Sequence, residues 1–103
     1  MGSDIVSCIN MPDRNRFTPL HYVCKFDASE ELIQHMLKAE HINLVQEQWE
    51  GKRPIQIAIE NDSINAFSVL SKVLTEEPDR EGLSWVERAI VSSAWKILYY
   101  MVW

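Results

Sequence analysis

Phe17-Thr18-Pro19-Leu20-His21 reads as the start of a helix, and Lys52-Arg53-Pro54-Ile55-Gln56 repeats it thirty-five residues later. A third version, Leu83-Ser84-Trp85-Val86-Glu87, follows after another thirty-one. Self-similarity at a period of roughly 20–50 residues marks stacked supersecondary units, and a mean of about 33 places three units over 13–45, 46–78 and 79–103.

Each copy opens a helix for a local reason. Thr18 offers a hydroxyl to orphan N–H groups while Pro19 takes the first helical position, where no N–H is needed. Ser84 and Glu87 have the spacing of a capping box. Arg53 has no acceptor to offer ahead of Pro54, so that start depends on tertiary packing. The opening helices are expected over 19–25, 54–60 and 84–91. Polar breaks follow at Asp27-Ala28-Ser29, Asn61-Asp62-Ser63 and Ser92-Ser93. Beyond each break, apolar residues recur at helical spacing: Leu32, Ile33, Met36 and Leu37; Ile64, Phe67, Leu70 and Leu74; Ile97, Leu98 and Met101. The reading is three helix hairpins, each burying one face. The stretches from Ala39 to Lys52 and from Thr75 to Glu81 are polar and read as extended loops or turns.

With the helix pairs in place, Thr18-Pro19-Leu20-His21 resembles the ankyrin-repeat signature. Ile9-Asn10 and Asp13 to Phe17 resemble the end of one ankyrin unit running into the β-turn of the next. Ile42-Asn43 repeats that pattern ahead of Gly51, and Ala58 and Ala89 take the small-residue position of the first helix. The resemblance spans about 9 to 102 and fades from the first unit to the third. Val23 stands where the pattern has alanine, Arg16 where it has glycine and Trp85 where it has proline. The fold it implies is an all-α, ankyrin-type solenoid of stacked helix-turn-helix hairpins with β-turn fingers. In that family His21 ties turns together by hydrogen bonds.

A unit of this size cannot cover its own apolar surface, so stacked units share a core and present one extended face. The resemblance implies that this face binds a folded protein through finger tips and first helices. The candidates are Arg14, Arg16 and Phe17 in the first finger, Tyr22, Lys25 and Phe26 on its helix, and Trp49, Glu50 and Lys52 around the second finger. Trp49 is the first choice for an interface anchor, the other reading being that its indole folds back over its own hairpin. Trp95, Tyr99, Tyr100 and Trp103 make the last helix apolar around its circumference, with Lys96 the sole charge among its ten closing residues. A terminal repeat normally has a polar outer face. Both ends therefore read as cuts through a longer array, with self-association through the last helix, or contact with a membrane, as alternatives. The module is equally compatible with a regulatory or assembly segment of a larger enzyme or channel.

Catalysis by this chain itself is not expected. His21, His35 and His41 form no metal-binding pair, glycines at 2, 51 and 82 make no phosphate loop, and no carboxylate pair sits beside a histidine. Cys24 reads as a buried apolar residue, and Cys8 as the more reactive thiol. No cofactor or metal is called for. A net charge of -5 without a basic stripe excludes nucleic acid as a partner. Two cysteines make no disulfide framework, no segment of about 18 apolar residues exists to span a membrane, and the start Met1-Gly2-Ser3-Asp4 lacks the basic and apolar regions of a signal peptide. Val6 breaks the myristoylation pattern after Gly2, and Asn61-Asp62-Ser63 matches a glycosylation acceptor by chance. The expected location is the cytoplasm, with the nucleus as an alternative.

Overall fold

The short helices begin where the side chains dictate. A computed structural model of the chain describes residues 11–39, 42–48 and 50–102. Among them are six α-helices: α1 (Pro19–Lys25), α2 (Glu30–Leu37), α3 (Pro54–Glu60), α4 (Ile64–Leu70), α5 (Trp85–Val91) and α6 (Trp95–Val102). At α1, Thr18 Oγ1 accepts the His21 N–H at 3.4 Å, and His21 Nδ1 accepts the Thr18 N–H at 3.0 Å. Ser84 and Glu87 do the same at α5, over 3.2 and 3.1 Å. Arg53 gives α3 no side-chain cap, as its chemistry requires. Trp85 carries at the first helical position the N–H that proline would lack, and Glu76 Oε2 accepts it at 3.0 Å.

The helices pair as hairpins, and one device closes all three. Asp27, Asp62 and Ser93 take the left-handed conformation, at φ 51°, 51° and 56°. The next N–H then reaches back to the helix: Ala28 to the Val23 carbonyl at 3.0 Å, Ser63 to Ala58 and Ala94 to Ala89 at 2.8 Å. This is the Schellman closure, which satisfies carbonyls that would otherwise be orphaned. Asp and Asn visit the left-handed region more readily than other non-glycine residues.

First helices pack on first helices, α1 against α3 and α3 against α5, and second helices likewise, α2 against α4 and α4 against α6. The core lies between the two rows and includes Cys24, Ile33, Ile55, Ile59, Phe67, Leu70 and Ile97. Ala58, Ala66, Ala89 and Ala94, all fully buried, let the helices approach closely. Leu32 departs from the expected buried set at 47% exposure. Among the described helices α2 packs mainly on α1 and α4, and Ile33 is its one buried residue.

Adjacent hairpins are also joined through the backbone. Asp27 Oδ1 accepts the Asn65 N–H at the start of α4, at 3.1 Å. Asp62 accepts Ile97 at 3.0 Å and Lys96 at 3.3 Å at the start of α6. Helix α2 by contrast is capped within its own hairpin, by Ser29 Oγ on Leu32 at 3.3 Å. Ser63 offers α4 no such bond, and its hydroxyl is buried without a hydrogen-bond partner. The aspartate that ends one first helix thus caps the second helix of the following hairpin.

Candidate functional site

Three five-residue turns project ahead of the first helices, and an acceptor side chain at the first position organises each. In finger one the Asp13 N–H donates to the Phe17 carbonyl at 2.9 Å, and the Arg16 N–H to the Asp13 carbonyl at 2.9 Å. Asp13 Oδ1 accepts the Asn15 and Phe17 N–H groups at 2.9 and 3.0 Å. Gln48 plays this part in finger two, accepting from Glu50 and Lys52. Asp79 does so in finger three, accepting from Glu81 at 2.9 Å and Leu83 at 3.0 Å. The fourth residue of each turn has positive φ: Arg16 at 63°, Gly51 at 82° and Gly82 at 80°. Glycine adopts that conformation without penalty, whereas an L-residue pays roughly 1–2 kcal/mol for it.

Finger one continues into an aromatic ladder. The rings of Phe17 and Tyr22 lie 5.2 Å apart, and Tyr22 stacks on Phe26 at 6.3 Å with their planes within 4°. Lys25 Nζ lies over Phe17 at 5.6 Å and over Phe26 at 5.5 Å, both within cation–π range. Phe26 is 70% exposed. The Tyr22 hydroxyl donates to Asp13 Oδ2, which ties ladder to turn. That bond holds the Asp13 carboxyl below its usual range and pushes the Tyr22 phenol up. Arg14 and Arg16 are exposed in the same turn, and neither forms an ion pair among the described residues.

Fingers two and three differ in where their charges go. Arg80 of finger three meets Glu47 at 2.6 Å, and Arg53 meets Glu77 at 3.0 Å. These pairs span a cavity of ≈ 430 Å³ floored by Leu44, Ile55, Ile59, Leu74, Leu83 and Trp85. Beneath it Arg88, only 6% exposed, lies 2.8 Å from Asp79 and 3.1 Å from Glu81. Burial pushes the Asp79 carboxyl up, but the Leu83 N–H, the Arg88 guanidinium and the Glu81 N–H outweigh it and hold the carboxyl below its usual range. Glu60 links this network to Lys52 at 2.9 Å and lies 3.9 Å from Arg88.

The remaining candidates occupy two places. Glu50 is exposed, 3.8 Å from Lys52, whose ammonium is committed to Glu60. Trp49 and Trp103 lie outside the described residues, as do Cys8 and His41. On α6, Trp95 and Tyr99 are exposed at 63% and 62%, while Tyr100 stands edge-on to Phe67 at 5.9 Å. The structure thus gathers Phe17, Tyr22, Lys25 and Phe26 into one surface, with Arg14 and Arg16 exposed in the turn that precedes it and Arg16 also lining a hollow with Gln46, Gln48, Arg53 and Arg80. Glu50 and Lys52 sit apart from it in the second finger, and the α6 aromatics sit at the other end of the helix rows.

Sequence reasoning missed the Asp79–Arg88 pair and the capping roles of Asp27 and Asp62. The shared spacing was a usable signal, since acceptors at 13, 48 and 79 and left-handed positions at 27, 62 and 93 are offset by the same thirty-five and thirty-one residues. His21 is fully buried, and its Nε2 lies 3.2 Å from the Lys52 carbonyl, joining α1 to the second finger. Burial lowers its pKa, which favours the neutral ring. Burial also pushes the Cys24 thiol up to about 12, far from the thiolate that nucleophilic chemistry needs. Among the described residues no three His, Cys, Asp or Glu side chains gather as a metal site, and no helix is long and apolar enough to cross a membrane. No protein-family model matches the chain, and no curated protein matches it.

Proposed function

We propose that the chain is an ankyrin-type solenoid segment serving as a protein-binding module in the cytoplasm, with finger one and the outer side of α1 as its contact surface. The three-hairpin organisation, the common turn geometry and the placement of His21 between one unit and the next favour the ankyrin reading. The observation that carries the functional reading is the ladder of Phe17, Tyr22 and Phe26, with Lys25 over two of its rings and Arg14 and Arg16 exposed in the adjoining turn. Aromatic and arginine side chains dominate binding energy at protein interfaces, and a ring left 70% exposed contributes little to the fold.

A second reading, self-association through α6, is favoured by the exposure of Trp95 and Tyr99 at the end of the second-helix row. Its test is sedimentation of the whole chain. A monomer at high concentration, unchanged by Trp95→Ser, removes that reading.

Affinity capture from the source cell tests the main proposal by comparing the full chain with its Phe26→Ala variant. Because Phe26 is exposed, circular dichroism should not change. Partners retained equally by both proteins, or no specific partner for either, would overturn it.

A further inference from the structure

Resting on that protein-binding reading, we propose that the surface of finger one and α1 takes an acidic peptide segment with an aromatic side chain. Charge favours such a segment. The chain is acidic overall, at -5, yet Arg14, Arg16 and Lys25 flank the ladder without an ion pair among the described residues. In fingers two and three, Lys52, Arg53, Arg80 and Arg88 are all committed to carboxylates. Three acidic residues of the first unit are themselves engaged. Asp13 binds its own turn and Tyr22, Asp27 caps the next hairpin, and Glu30 accepts the Ser68 hydroxyl. Lys38, Lys72 and Lys96 likewise have no carboxylate among the described residues, but of the described cations Lys25 is the one that lies over aromatic rings, so charge and an apolar bed meet at this ladder.

Backbone strain at the turn points the same way. Arg16 holds the left-handed position that is glycine in both other fingers, so a side chain stands where local energetics favour none. The guanidinium there is exposed, and its planar donors match a carboxylate. The neighbouring rings supply an apolar bed, and Lys25 lies over two of them. Carboxylates beside an aromatic residue complement this arrangement.

The test uses fluorescence anisotropy of a short labelled peptide of glutamates interrupted by tyrosines, with a counterpart in which glutamine replaces each glutamate. The acidic peptide should bind the full chain and weaken with salt. Arg14→Gln combined with Arg16→Gln should reduce its affinity on the order of tenfold, the equivalent of 1.4 kcal/mol. Lys96→Gln, on α6, should leave it unchanged. Equal binding of the glutamine peptide, with both peptides weakened by Phe26→Ala, would remove the acidic preference and leave the protein-binding reading standing. Failure of the acidic peptide to bind, or preferential capture of the chain by phosphatidylserine vesicles, would overturn the inference, whereas the capture experiment decides the broader reading separately.

Discussion

Fingers one and three are the same turn put to different use. Each is organised by an aspartate that accepts two backbone N–H groups, and each has a left-handed residue at its fourth position. In finger three the second carboxylate oxygen binds the buried Arg88, the left-handed residue is Gly82, and Arg80 reaches across to Glu47. In finger one the second oxygen takes an exposed tyrosine, the left-handed residue is an arginine, and the flanking cations have no carboxylate among the described residues. Finger three invests its polar groups in the junction between hairpins, whereas finger one keeps them at the surface. A turn can thus be conserved in geometry within one chain while its side chains are divided between cohesion and recognition.

This contrast makes graded predictions. Asp79→Ala strands a buried guanidinium and frees two turn N–H groups. A loss of about 3 kcal/mol is expected, the lower end for a broken buried pair because Glu81 and Glu60 remain near Arg88. Asp13→Ala at the equivalent exposed position should cost far less, and urea unfolding of the two variants side by side reads the difference. Asp62→Ala removes the acceptor for Lys96 and Ile97 and places alanine at positive φ, for a loss of about 2 kcal/mol. Asp27→Ala, which frees one N–H instead of two, should be milder by the same measurement.

Titration adds a smaller effect. The folded His21 ring has a lowered pKa because it is buried, so the unfolded chain binds its proton first as pH falls. Stability should therefore be full above pH 7 and decline as pH falls below the ordinary histidine value of 6.5. His21→Gln should flatten that slope in thermal melts between pH 7 and 5. Asp13 and Asp79 act lower on the scale, since both carboxyls are held below 3.8 and their contribution fades only as pH falls through that region.

Much of the fold was legible in the sequence because its helix starts are chemically local. Thr18-Pro19 and Ser84-Trp85-Val86-Glu87 carry their own caps, and the expected bounds 19–25 and 54–60 match α1 and α3. The joins between hairpins were less legible. Asp27 and Asp62 lie within polar breaks, and nothing local marks them as caps for helices more than thirty residues away. Exposure was harder still. Leu32 fits the helical period of a buried residue but is 47% exposed on the outermost described second helix, and periodicity cannot show where a row of helices ends. The candidate surface was readable residue by residue. Its coherence, with three rings in one ladder and a lysine across two of them, required the turn to fold Phe17 back over Tyr22.

The most direct measurement is the Arg16→Gly variant, with thermal unfolding and acidic-peptide affinity read from one preparation. Glycine relieves the positive φ at 63° while removing the guanidinium. The melting temperature should rise by a few degrees, corresponding to about 0.5–1 kcal/mol, while peptide binding weakens. A variant that melts lower, or that binds as well as the parent, would contradict the division of labour between the fingers.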